Sequence, residues 1–125
     1  MGIFQAANGL CGSGWFMIKV LLIDELLEAE VNKAREYLNI NTVKSPINDL
    51  FWLELPDDIL DNDQKNYVKN NNQLKIAIEV GKTWVRFELL IRSESLTNVG
   101  GGELNEKQIK FMLIFYNEII NYIKG

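Results

Sequence analysis

The chain has 125 residues, 47% hydrophobic and 24% charged, which suits one domain able to close its core without disulfides or metal. Its net charge of −4, with no basic cluster longer than a pair, excludes the positive surface that nucleic-acid phosphates require. Histidine is absent, which removes the commonest proton shuttle and metal ligand. The single cysteine, Cys11, permits no internal disulfide and points to a reducing, cytoplasmic setting.

Residues 1–16, MGIFQAANGLCGSGWF, lack the basic start and continuous apolar run of a secretory signal. Ala6 stands where a myristoylation motif wants Ser or Thr. This Gly-rich stretch reads as a flexible tail, with a single domain over 17–125 and Met17 as an alternative start. From Met17 to Leu38, Val20, Ile23, Leu27, Val31, Ala34 and Leu38 follow the three-and-four spacing of a buried helical stripe, and Leu21, Leu22 and Leu26 widen it. Asn39–Asp49 is polar, contains Ser45-Pro46 and reads as a loop.

Leu50–Leu55 (LFWLEL) has the composition of a short strand stopped by Pro56, with Phe51, Leu53 and Leu55 on one side and Leu50, Trp52 and Glu54 on the other. Asp57–Asn72 is rich in Asp and Asn and predicts a helical turn followed by an irregular crossing. Leu74–Arg92 (LKIAIEVGKTWVRFELLIR) predicts a β-hairpin about Gly81-Lys82, a type II′ turn with glycine first. Closed by Val80 and Thr83, that hairpin sets Ile78 opposite Val85, Ile76 opposite Phe87 and Leu74 opposite Leu89. Its other face pairs Lys75 with Glu88, Ala77 with Arg86 and Glu79 with Trp84. A further edge strand is expected around Ser95–Val99. Asn105, with Gln108 three residues on, is a capping box opening a final helix from Glu106 to about Ile123. Lys110, Asn117, Glu118 and Asn121 interrupt that helix, so it is not read as a bilayer span. It is apolar on most sides, which calls for more than one neighbour; in so small a domain a second chain could supply one.

Several motif-like strings fail on context. Gly81-Lys82-Thr83 matches the end of a phosphate-binding loop, but Ile76 occupies the first glycine position and two strands flank the tripeptide. Asp61 and Asp63 open like a calcium loop, yet Lys65, Asn66 and Asn72 stand at a ligand, the turn glycine and the bidentate glutamate. Gly9, Gly12 and Gly14 precede no strand–helix unit of dinucleotide-binding type. Cys11 has no histidine to activate it. No cofactor, metal or catalytic residue is therefore assigned.

Two regions keep functional interest. Glu54, Asp57, Asp58, Asp61 and Asp63 cluster near one strand end, where two carboxylates could act as acid and base or hold a magnesium ion; as solvated loop residues, Asp57 and Asp58 would open a turn after Pro56. The outward face of the sheet brings together Trp52, Trp84, Arg86, Leu90 and Arg92, residue types that concentrate binding energy at protein interfaces. Three readings of that face compete: a partner or self-association surface, a face covered by the chain's own tail or crossing segment, and the wall of an active site.

The blocks Phe51–Asp58 (FWLELPDD) and Trp84–Ser93 (WVRFELLIRS) resemble those of a family of small prokaryotic proteins to which no activity is assigned. The helix–three-strand–helix order, acidic charge and size also resemble the type III secretion chaperone-like fold. That resemblance implies a dimeric, non-enzymatic binder that holds partner polypeptides on exposed apolar surface, and it carries no site residue across. The expected architecture is α+β: an N-terminal helix, an antiparallel meander of three or four strands and a C-terminal helix, with both helices on one face of the sheet. Leu74, Ile76, Ile78, Val85, Phe87, Leu89 and Ile91 are the expected sheet side of the core. The leading functional expectation is a cytoplasmic protein-binding or chaperone-like module, with a protein partner or a homodimer and with neither nucleic acid nor membrane. The alternatives are a small ligand-binding protein or enzyme using the carboxylates near Asp57 with Arg86 or Arg92, and a structural subunit of a larger complex.

Overall fold

Apolar residues alternate along Leu50–Leu55, Leu74–Val80 and Val85–Ile91, so antiparallel pairing of these runs collects them on one side of a sheet. The computed structural model describes residues 3–7, 20–70, 73–92 and 98–125. In chain order the elements are β1 (Ile3–Ala7), β2 (Val20–Asp24), α1 (Glu28–Asn41), β3 (Val43–Lys44), β4 (Leu50–Glu54), a 3₁₀ turn (Asp57–Ile59), α2 (Asn62–Asn70), β5 (Lys75–Val80), β6 (Val85–Glu88), β7 (Leu90–Arg92), β8 (Asn98–Glu103) and α3 (Glu106–Lys124). The strands form one antiparallel sheet in the order β1-β2-β6-β5-β4-β3, with β7 continuing beyond β6 to pair with β5 and β8.

The expected α+β architecture is present, and the sheet is wider than a meander of three or four strands. Leu74, Ile76, Ile78, Val85, Phe87, Leu89 and Ile91 are all buried, as are Phe51, Leu53 and Leu55 beside them. Against this face lie Val31, Ala34 and Leu38 of α1 and Met112, Phe115, Tyr116, Ile119 and Ile123 of α3, in one continuous core. Phe87 lies at its centre, edge-on to Phe115 and Tyr116 with ring centroids 6.4 and 5.5 Å away. Each large side chain removed from water contributes about 1.5–3 kcal/mol. Tyr37 closes the seam between the helices, 5.6 Å from Phe115 and 5.1 Å from Tyr122.

Three expectations need correction. The helix predicted from Met17 begins at Glu28, because Val20–Asp24 is the strand β2. Leu21 and Ile23 are buried while Leu22 is half-buried, the period-two pattern of a strand, and β2 fills the open edge of β6 with Leu21 opposite Phe87 and Ile23 opposite Val85. Glu25 then adopts φ 58°, and the Leu26 amide donates to the Thr83 carbonyl at 2.9 Å, so the chain turns off the sheet before α1 starts. Within the stretch read as a tail, Ile3–Ala7 pairs with β2 as β1; Met1, Gly2 and residues 8–19, Met17 among them, lie outside the described residues.

The second correction is to the hairpin register. Val80 pairs with Val85, Glu79 with Arg86 and Ile78 with Phe87, two residues displaced from the expected pairing. A shift of two leaves every side chain on its original face, which is why the core residues stand. The connection is the four-residue loop Gly81–Trp84, closed by the Gly81 amide donating to the Trp84 carbonyl at 2.8 Å, and Gly81 has no positive φ. Glycine is needed for a different reason: a β-carbon there would overlap the Trp84 indole.

Third, the segments read as irregular carry regular structure. Asn62–Asn70 is a full helix, and the last strand runs Asn98–Glu103 through the three glycines; residues 95–97 of the edge strand expected at Ser95–Val99 lie outside the described residues. Between α1 and β4 the short strand β3 pairs Val43 with Trp52. Asp49, at φ 60°, receives the Arg35 guanidinium on both carboxylate oxygens (2.9 and 3.3 Å), while its carbonyl accepts from the Val80 amide at 2.9 Å. That contact ties α1, the β3–β4 loop and β5 together.

Candidate functional site

On the side of the sheet away from α1 and α3, the small side chain of Ala77 sits opposite Trp52 in the β4–β5 register. Larger neighbours leave a depression of about 380 Å³ above it, lined by Ile47, Leu50, Trp52, Ala77, Glu79, Arg86, Glu88 and Arg92. Its floor is apolar and one wall is charged. Arg86 is bonded to Glu79, its cross-strand partner, and Arg92 Nε donates to Glu88 Oε1 at 2.6 Å. These pairs are partly solvated and add about 0–1 kcal/mol each, so they set two planar guanidinium groups beside the hollow while adding little to stability.

The five residues singled out from the sequence reach different places. Arg86 and Arg92 line the depression. Trp52 forms its floor and is only 8% exposed; Lys75 Nζ lies 5.2 Å from the ring centroid, a cation–π contact on a lysine that is itself buried. Trp84 is not on a strand opposite Glu79, as the expected register had it. It is the last residue of the β5–β6 loop, half-buried against Gly81, with the Arg86 guanidinium 5.6 Å from its ring. Leu90, half-buried at the start of β7, is registered opposite Glu103 of β8 and does not line the depression. Ile47, 58% exposed in the structure, was missed because it lies in a polar loop; an isolated isoleucine directly after Ser45-Pro46 is the sequence signal that could have found it.

The carboxylates near Pro56 are arranged as turn and cap residues. Asp57 and Asp58 are exposed on the 3₁₀ turn, and Asp61 Oδ1 accepts from the Gln64 amide at 2.8 Å at the start of α2. A cleft of about 570 Å³ lies beside them between Ile59, Leu60 and Asp61 and the α3 start at Asn105, Glu106, Lys107 and Lys110, and Asp57 and Asp58 do not line it. All three arginines of the chain pair with other carboxylates, Asp49, Glu79 and Glu88. Among the described residues no three acidic or cysteine side chains converge as a metal site, and no helix is long and apolar enough to cross a membrane.

Perturbed ionisation is found among tyrosines at the helices. Burial pushes the Tyr116 phenol up to about 12. Tyr37 is raised by burial and by Glu118, to which its hydroxyl donates at 3.5 Å, and Tyr122 is raised by its hydrogen bond to Glu36. These crossed tyrosine–glutamate pairs fasten α3 to α1, away from both hollows. No family model, no curated protein and no solved structure matches this chain, so the geometry above carries the functional argument.

Proposed function

We propose that the chain is a protein-binding module, chaperone-like in working by capture rather than chemistry, and that it engages its partner or a second copy of itself through the outer face of the sheet. The observation that supports this reading is the depression around Ala77, where an apolar floor of Trp52 and Leu50 meets two oriented arginines. An apolar side chain of a partner would fill the hollow, and backbone carbonyls or carboxylates would meet the rim guanidiniums. Among the described residues no serine, threonine, cysteine or tyrosine lines the hollow, and its two carboxylates, Glu79 and Glu88, are engaged by arginine. The single cysteine of the chain suits a cytoplasmic setting.

The test pairs two measurements on wild type and on Arg86→Glu and Ala77→Trp, which reverse a rim charge and fill the hollow. Sedimentation velocity reads self-association, and affinity capture from the native host reads partner binding. A complex formed by wild type and lost by at least tenfold in both variants, with far-UV spectra unchanged, is the expected result. A chain that stays monomeric and captures the same proteins as both variants overturns the reading.

A further inference from the structure

Two capping boxes meet head to head at one end of the molecule. In α2, Asp61 Oδ1 accepts from the Gln64 amide and Gln64 Oε1 accepts from the Asp61 amide, at 2.8 and 2.9 Å. In α3, Asn105 Oδ1 and the Gln108 amide, and Gln108 Oε1 and the Asn105 amide, repeat the arrangement at 2.9 Å each. The two glutamines then bond to each other: Gln108 Nε2 donates to Gln64 Oε1 at 2.7 Å and to the Ile59 carbonyl at 3.0 Å. Gln108 is fully buried and Gln64 is 4% exposed, so a bond broken here leaves polar atoms dry.

The two helices joined by this contact are unequal. The 19-residue α3 places Met112, Phe115, Tyr116, Ile119 and Ile123 in the core. The nine-residue α2, with Asn62, Asp63, Asn66 and Asn70 among its residues, is too short and too poor in helix formers to persist alone, and its apolar residues Tyr67 and Val68 are only half-buried. We infer that Asp57–Asn70 is a strap latched to α3 by Gln64 and Gln108, and that it opens as a unit while the sheet and α3 stay folded. Opening bares Leu60, 6% exposed when the strap is closed, and the polar edge of Gln108.

Native-state hydrogen exchange read residue by residue tests this. In wild type the amides of Lys65–Lys69 should exchange at least tenfold faster than those of β5, through an opening that urea accelerates less steeply than the exchange of β5. Gln64→Met removes the acceptor of the latch and should speed exchange in the strap by a further factor of about ten, with Ile76, Ile78 and Phe87 unchanged. In Gln108→Glu the latch becomes pH-dependent: the carboxylate repels the Ile59 carbonyl and Gln64 Oε1, while the protonated acid donates again, so strap exchange, corrected for its intrinsic pH dependence, should slow on acidification. Equal protection of strap and β5 in wild type overturns the inference. So does acceleration of strap and sheet together in Gln64→Met, or failure of that variant to fold.

Discussion

Gly81 and Tyr116 show how single atoms set local limits. The indole of Trp84 lies over Gly81, so Gly81→Ala must push the ring away from the loop and from Arg86. Overpacking of this kind costs about 1–3 kcal/mol, and with Trp84 only half-buried the low end is expected. Urea denaturation should report the loss, and tryptophan emission should shift red as the ring enters water. Tyr116 sets a different limit. Its phenol ionises near 12 in the folded chain against 10.0 when unfolded, so between those values the unfolded state gives up its proton first. The stabilising effect of the neutral buried phenol is complete below about pH 10 and is lost as pH rises through 12. Tyr116→Phe should therefore resist alkaline unfolding better than wild type, read as a higher pH midpoint by circular dichroism.

At the scale of elements, β2 is the instructive case. Val20, Ile23 and Leu27 fit a helical stripe as well as Leu21 and Ile23 fit a strand, and hydrophobic spacing alone does not choose between them. Backbone pairing with β6 chooses, because the edge donors and acceptors of β6 would otherwise be left open. The strand assignment predicts unequal neighbours: Leu21→Ala should cost about 2–4 kcal/mol, whereas Leu22→Ala, half-buried on the other face, should cost about 1 kcal/mol or less by chemical denaturation. In a helix with its apolar sector spread over both positions the two costs would be similar. By contrast the start and span of α3 were legible. Its N-cap and capping partner are local features and agree with Asn105 and Gln108 in the structure, whereas Ile109, Leu113 and Ile114 of its apolar surface stay exposed. Asn105→Ala should cost about 1 kcal/mol, measured as a shift in the denaturation midpoint.

For the whole molecule, the packed core and the hollow proposed for binding fall on opposite faces of one sheet. The inner face carries the packed core, and a change there, such as Phe87→Ala, should cost about 3–5 kcal/mol. On the outer face the Arg86–Glu79 pair is about half solvated, so Arg86→Ala should leave the denaturation midpoint within about 0.5 kcal/mol of wild type while weakening whatever assembly the face supports. The candidate site was partly legible at this scale: alternation put Trp52, Arg86 and Arg92 on a common face. The hollow between them was not, because it depends on Ala77 lying beside Trp52 across two strands that the sequence keeps 25 residues apart.

What the amino-acid sequence determined by itself is the set of choices made within a few residues: the two faces of β4, β5 and β6, and the capped start of helix α3. Tertiary structure decided the rest. It made Val20–Asp24 a strand, drew Ile3–Ala7 and the glycine-rich Asn98–Glu103 into the sheet, slid the hairpin register by two, and moved Trp84 from a strand into a loop. The physical reason is the same in each case. Periodicity and capping are satisfied locally, but a strand exists only where a second backbone offers it hydrogen bonds, and which partner does so depends on residues far away in the chain.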